Sequence, residues 1–191
     1  MTRKTETSRY GFVAVTLHWV IAGAILYMIW LGTYMTDAED YKAYQLHKSL
    51  GITILALSLL RLIWRFVDPP PPLPSGMSRL ERFGAHASHF AFYALMIGVP
   101  LGGWALASTN TMVETKVWDL FTLPQLPGLA GLPPEQLEDL GDTFEDMHEF
   151  FGLFGFLSLL ALHVLAALKH HFWNRDNVLT RMIPFLPSPR K

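Results

Sequence analysis

The sequence predicts an all-α fold, an integral membrane four-helix bundle with both termini cytoplasmic, and three observations predict it. Charged residues are absent from 10–36, 83–113 and 150–168, and a helix needs only about 20 residues to cross the hydrocarbon core. A fourth run, 46–66, is interrupted by Lys48 at one end and by Arg61 and Arg65 at the other, where long basic side chains snorkel to the interface. The charges also segregate between the connections. Twelve of the fifteen Lys and Arg lie in the N-terminus, the 61–82 connection and the tail from Lys169, whereas twelve of the sixteen acids lie in 37–40 and 114–149. By the positive-inside rule the basic side is cytoplasmic. The 191 residues suit a single membrane domain over 1–191, with spans at about 10–36, 46–66, 83–107 and 146–170 and a periplasmic loop at about 108–142.

The first span follows Arg3, Lys4 and Arg9 but is too long for a signal-peptide core. No small-residue cleavage pattern precedes Asp37, so it is expected to be retained. Tyr10, Trp30, Tyr34, Phe172 and Trp173 fall towards the ends of spans one and four, as amphipathic rings at an interface do. "DPPPPLP" at 68–74 reads as a stiff polyproline connection. In span three, Pro100 and the Gly102–Gly103 pair suggest a kink and close packing. The outer connection "TLPQLPGLAGLPPEQLEDLGD" reads as a loop with one short helix over 134–140, because proline at a helix start followed by acids suits the first turns.

The histidines carry the chemistry. A single imidazole in a membrane is more often hydrogen-bonded or cavity-lining than a ligand, but here four fall at two matched depths. At 1.5 Å per residue, His18 on span one lies about 12 Å from the cytoplasmic end and His163 on span four about 9 Å from it. His47 and His148 each lie within about a turn of the outer start of spans two and four. Fifteen residues separate His148 and His163, which leaves only about 60° of net rotation and about 22 Å of rise, so one helix offers both depths from broadly one face. Two imidazoles facing each other across a bundle suit bis-histidine haem. The chain has no cysteine, so covalent C-x-x-C-H attachment is impossible and the haems would be non-covalent b-type. Zinc, which gathers three or four ligands at one point, fits two separated pairs less well.

Other side chains have competing readings. Arg61, Arg65 and Lys169 are interfacial anchors or partners for haem propionates. His86 and His89, spaced i, i+3 near the cytoplasmic end of span three, could replace His18 as ligands, but interfacial hydrogen bonding or a proton path to quinone suits their shallower depth better. His170 and His171 cap the end of span four or contact quinone or propionate. The outer acids form a solvated surface that biases which partners approach. No catalytic side chain in the strict sense and no nucleic-acid partner is expected.

Taken together, "LHWVIAG", "LHKSLGI", "MHEFFG" and "LHVLAALKHHFW", with the ending "DNVLTRMIP", closely resemble the bacterial cytochrome b561 family, small four-helix di-haem cytochromes of the inner membrane. The resemblance implies haem ligands at His18, His47, His148 and His163, paired as depth pairs them, His18 with His163 and His47 with His148. It also implies a multi-pass inner-membrane protein that exchanges electrons with ubiquinone, and, in at least some members, oxidation of superoxide at the periplasmic face. A quinone pocket would lie by the cytoplasmic haem, among His86, His89, His170 and His171. The protein would thus be an electron carrier or a superoxide:ubiquinone oxidoreductase. Its partners would be membrane lipid, ubiquinone and either superoxide or a periplasmic redox protein; an acidic outer face favours a basic one such as a soluble c-type cytochrome. The alternative is a di-haem anchor subunit passing electrons from a hydrogenase or formate dehydrogenase to quinone.

Overall fold

The computed structural model describes residues 9–183, 185–187 and 189; Arg3, Lys4, Arg190 and Lys191, counted above for orientation, lie outside them. Four helices are long and apolar enough to cross a membrane. The first, α1 (Phe12–Ala38), ends where Glu39 turns left-handed at φ 49°. Asp40 then caps α2 (Tyr41–Val67), its carboxylate accepting from the backbone N–H groups of Lys42 and Ala43. A two-residue link therefore makes α1 and α2 an antiparallel hairpin. The proline run beginning at Pro69 ends α2 because it can supply no further helical N–H. A capping box opens α3 (Arg79–Thr109), with Ser78 and Glu81 each accepting from the other's backbone N–H.

The fourth span is one rod from Pro134 to Phe172, built of α4 (Pro134–Glu149), a π-helical segment (Phe150–Gly155) and α5 (Phe156–Phe172). The short helix expected over 134–140 thus continues without a stop into the membrane. At Gly141 the rod approaches α3, since a Cβ there would sit 3.0 Å from Thr109 Oγ1. The π segment takes up about one extra residue, so the phase between His148 and His163 changes from about +60° to about −40°. They still share a face.

On the loop face, β1 (Thr115–Val117) pairs antiparallel with β2 (Phe121–Leu123). Trp118 and Asp119 at its turn both have positive φ. For non-glycine residues that conformation costs about 1–2 kcal/mol each, and it is held by Trp118, whose N–H donates to Ser49 Oγ at 3.0 Å and whose indole donates to Thr53 Oγ1 at 2.9 Å. At the opposite face the chain after α5 folds back as a clasp. Trp19 Nε1 donates to the Met182 carbonyl at 2.8 Å, and the buried Arg181 donates to the Pro72 carbonyl at 2.8 Å.

Helices α1 and α2 pack on each other, α2 on α3, and α3 on the fourth span, while α1 and α2 make no comparable backbone contact with the fourth span. The buried core is small, Ile21, Met96 and Phe156, with Ile25, Ile29, Leu57 and Val99 packed on it. Many large apolar side chains point outward instead, Phe66, Phe83, Phe90 and Leu165 among them. A water-soluble monomer rarely exposes so much contiguous apolar surface; lipid covers it here. The fold is a mostly helical membrane four-helix bundle.

Candidate functional site

Two histidine pairs face each other across the side of the bundle where helices do not pack closely. Near the loop face, His47 follows the N-terminal cap of α2 by two turns and meets His148 at the end of α4, with ring centres 5.9 Å apart. Near the terminal face, His18 of α1 and His163 of α5 have ring centres 6.3 Å apart. The core residues Ile21, Met96 and Phe156 fill the space between the two levels.

The spacing has a simple chemical meaning. A metal bound by two opposed imidazole nitrogens at about 2 Å each, with each ring centre about 1 Å beyond its nitrogen, holds the centres about 6 Å apart. Both pairs fit that distance. Among the described residues no group of three or more His, Cys, Asp or Glu could gather on one ion, and paired imidazoles are a donor set that would suit a macrocycle-bound metal. The open side between α1–α2 and the fourth span gives a flat macrocycle room that packed helices deny.

Local structure seats both histidines of the loop-face pair. His148 Nδ1 lies 3.0 Å from the Val99 carbonyl; a carbonyl only accepts, so Nδ1 carries the proton and Nε2 keeps its lone pair. Gly103, one turn beyond Val99, makes that contact possible, because a Cβ there would lie 2.8 Å from the His148 ring. Gly32 of α1 lies beside His47, where a Cβ would stand at ordinary contact distance, 3.5 Å from Cε1. His47 Nδ1 is buried without a hydrogen-bond partner among the described residues.

The inner level holds a third imidazole. His89 of α3 has its ring centre 6.1 Å from that of His163, and Phe92 packs edge-on against His163 at 5.2 Å. Beside them a cleft of about 490 Å³ opens at the terminal face, lined by Tyr10, Arg65, Arg82, His86, His89 and the proline wall at Pro70–Pro72. Arg61 reaches the Ala14 carbonyl, one helical turn from His18, at 3.5 Å.

The remaining sequence candidates lie elsewhere. His170 is buried in the clasp, with Nδ1 2.6 Å from Asp176 Oδ2, which gives it a structural task. Lys169 donates to Glu81 at 2.6 Å, tying α5 to the start of α3. His171 meets Phe172 edge-on, with a buried Nδ1. Neither His170 nor His171 lines the cleft. Sequence reasoning missed the Val99 carbonyl, which no residue identity announces, and it read Gly103 only as a packing glycine.

Residues 9–185 match the prokaryotic cytochrome b561 family. The chain belongs to that family. Its similar relatives include cytochrome b561 homolog 2 of Escherichia coli (strain K12), 33% identical over 181 residues, covering 92% of this chain and 91% of the relative. A second is the probable superoxide oxidase CybB of Yersinia pestis, 29% identical over 181 residues, 92% of this chain and 96% of that protein. This cytochrome is therefore a multi-pass bacterial membrane protein that binds b-type haem and transfers electrons.

Proposed function

We propose that this cytochrome carries electrons across the membrane through two b haems, His18/His163 holding the inner and His47/His148 the outer, between a periplasmic one-electron donor and ubiquinone. The observation that carries the proposal is the matched spacing of the two pairs at two levels of one helix. The basic residues favour a cytoplasmic terminal face in the inner membrane. With two imidazoles holding each haem, the haems would supply one-electron relay rather than oxygen binding. The protein's own part is to hold the axial imidazoles neutral and aimed, to keep water from the core between the levels, and to offer approaches at both faces. The cleft ending at His89 is the approach we assign to ubiquinone, with Arg65, His86 and His89 as its polar wall. Arg61, beside His18, is placed to meet a propionate.

Superoxide is named as the substrate of one relative, and we carry it over as a candidate donor. A second reading has its own observation. Glu135, Glu138, Asp139, Asp142, Glu145, Asp146 and Glu149 of α4 are all exposed, and at about 100° per residue they fall within an arc of about 120°. One helix thus presents an unbroken acidic stripe that runs down to the level of His148, with its nearest edge about 60° around the helix from it. Such a surface attracts a cationic redox protein and repels an anion.

The test is a haem-to-protein ratio with a reduced-minus-oxidised spectrum on the purified protein. We expect two haems per chain. His47→Ala or His148→Ala removes one and leaves the other, and His18→Ala or His163→Ala does the reverse. One haem in the unaltered protein, or loss of both in every variant, would refute the paired assignment.

A further inference from the structure

Helix α3 supplies no ligand in the reading above, yet it touches the fourth span at both histidine levels. His89, Phe92, Met96, Val99 and Gly103 recur at intervals of three and four, which places them on one helix face. Each meets the fourth span. His89 and Phe92 face His163, Met96 packs with Phe156, the Val99 carbonyl holds His148 Nδ1, and Gly103 gives the His148 ring its room. The stripe therefore begins and ends on a candidate ligand.

We propose that α3 orients both fourth-span histidines and that His89 is the positioning residue of the inner one, doing for His163 what the Val99 carbonyl does for His148. The proposal rests on the reading of His163 as an axial ligand. Two observations separate positioning from ligation. The backbone of α3 approaches α5 closely, whereas that of α1 does not, so the side of His163 open to a macrocycle faces His18. Phe92, one turn from His89, already fills the α3 side of the His163 ring. Ring centres 6.1 Å apart match the spacing of the two pairs, so distance itself does not distinguish the roles; they are too far for a direct bond between the imidazoles along their line of centres and leave room for one bridging water, which the cleft that ends on His89 can supply. A ligand imidazole whose second nitrogen donates a hydrogen bond is more basic. It favours the ferric state and lowers the potential of its own haem alone.

The experiment is a redox titration of the purified full-length holoprotein, followed at the alpha band, with the inner wave identified by its loss in His163→Ala. In His89→Leu both haems are retained and the inner wave rises by about a tenfold change in the ferric-to-ferrous ratio, about 59 mV for one electron. His89→Gln, which keeps a donor and an acceptor, recovers most of that shift, and the outer wave does not move. His89→Phe, closer in ring volume, is measured beside the leucine variant and behaves like it if the hydrogen bond rather than the packing matters. An unmoved inner wave in both apolar variants overturns the proposal, as does an equal shift of both waves. Loss of the inner haem in His89→Leu and His89→Phe with its retention in His18→Ala would instead make His89 a ligand. If His163→Ala keeps both haems, the ligand reading has failed, an outcome distinct from any of these.

Discussion

At the scale of single residues, the outer site depends on an atom that is missing. Gly103 and Gly102 are neighbours in sequence, but a Cβ at Gly103 would stand 2.8 Å from the His148 ring, whereas one at Gly102 would meet nothing within 4 Å. Gly103→Ala must push the imidazole away from the Val99 carbonyl or spread α3 from the fourth span. Overpacking of this kind costs about 1–3 kcal/mol. The expected result is a protein that loses much of its outer haem and unfolds at lower temperature, while Gly102→Ala keeps both haems. Haem-to-protein ratio and thermal melting, read on the two alanine variants side by side, check it. If both variants keep two haems, the close approach is not what seats His148.

At the scale of elements, the π segment decides which way the fourth-span histidines face. Removing one residue inside Phe150–Gly155 lets that stretch become α-helical, and fourteen α-helical residues leave about the same −40° between His148 and His163 as the native arrangement. Removing one residue from the regular helix below it turns His163 by about 100° relative to His148. Deletion of Leu153 is therefore expected to keep both haems, and deletion of Ala161 to lose the inner one; each shortens the span equally, so length is controlled. Difference spectra distinguish them. The same element shows how far sequence reaches. Uncharged runs and histidine depth are properties of residue type and count, so the four apolar helices and the His18/His163 and His47/His148 proximities were legible in them. The π turn was not, because "FFGLFG" contains nothing that an α-helix forbids. Nor was the continuation of the helix past Gly141, where the rod approaches Thr109 of another element, nor the clasp through Arg181 and Pro72, which joins residues 109 apart by a backbone carbonyl. Contacts to main-chain atoms leave no signature in side-chain pattern.

At the scale of the whole molecule, the net charge of −1 conceals a separation of charge along the membrane normal, and that separation discriminates between donors. The acids of α4 form the nearest large charge to the outer histidine pair, and none of them makes an ion pair among the described residues. Their field falls off over about 8 Å at physiological ionic strength, a range that includes the approach to His148 from the end of its own helix. A cationic protein donor is drawn by this field, so its second-order rate should fall as salt is raised. Superoxide is repelled by it, so its rate should rise with salt. Neutralising the stripe with Glu138→Gln, Asp142→Asn and Glu145→Gln gives the decisive comparison. For a cationic donor the low-salt rate drops and the salt dependence flattens; for superoxide the low-salt rate increases and the dependence flattens from the other side. These exposed side chains lie away from the buried face of α4, where Leu137 packs, so haem content and melting temperature should be unchanged. Stopped-flow reduction of the haems by each donor across a salt series measures both slopes. A superoxide rate that falls with salt in the native protein and is insensitive to the three substitutions would mean that the acids do not govern the approach, and that Lys42, Lys48 and Lys116 on the same face steer the anion past them.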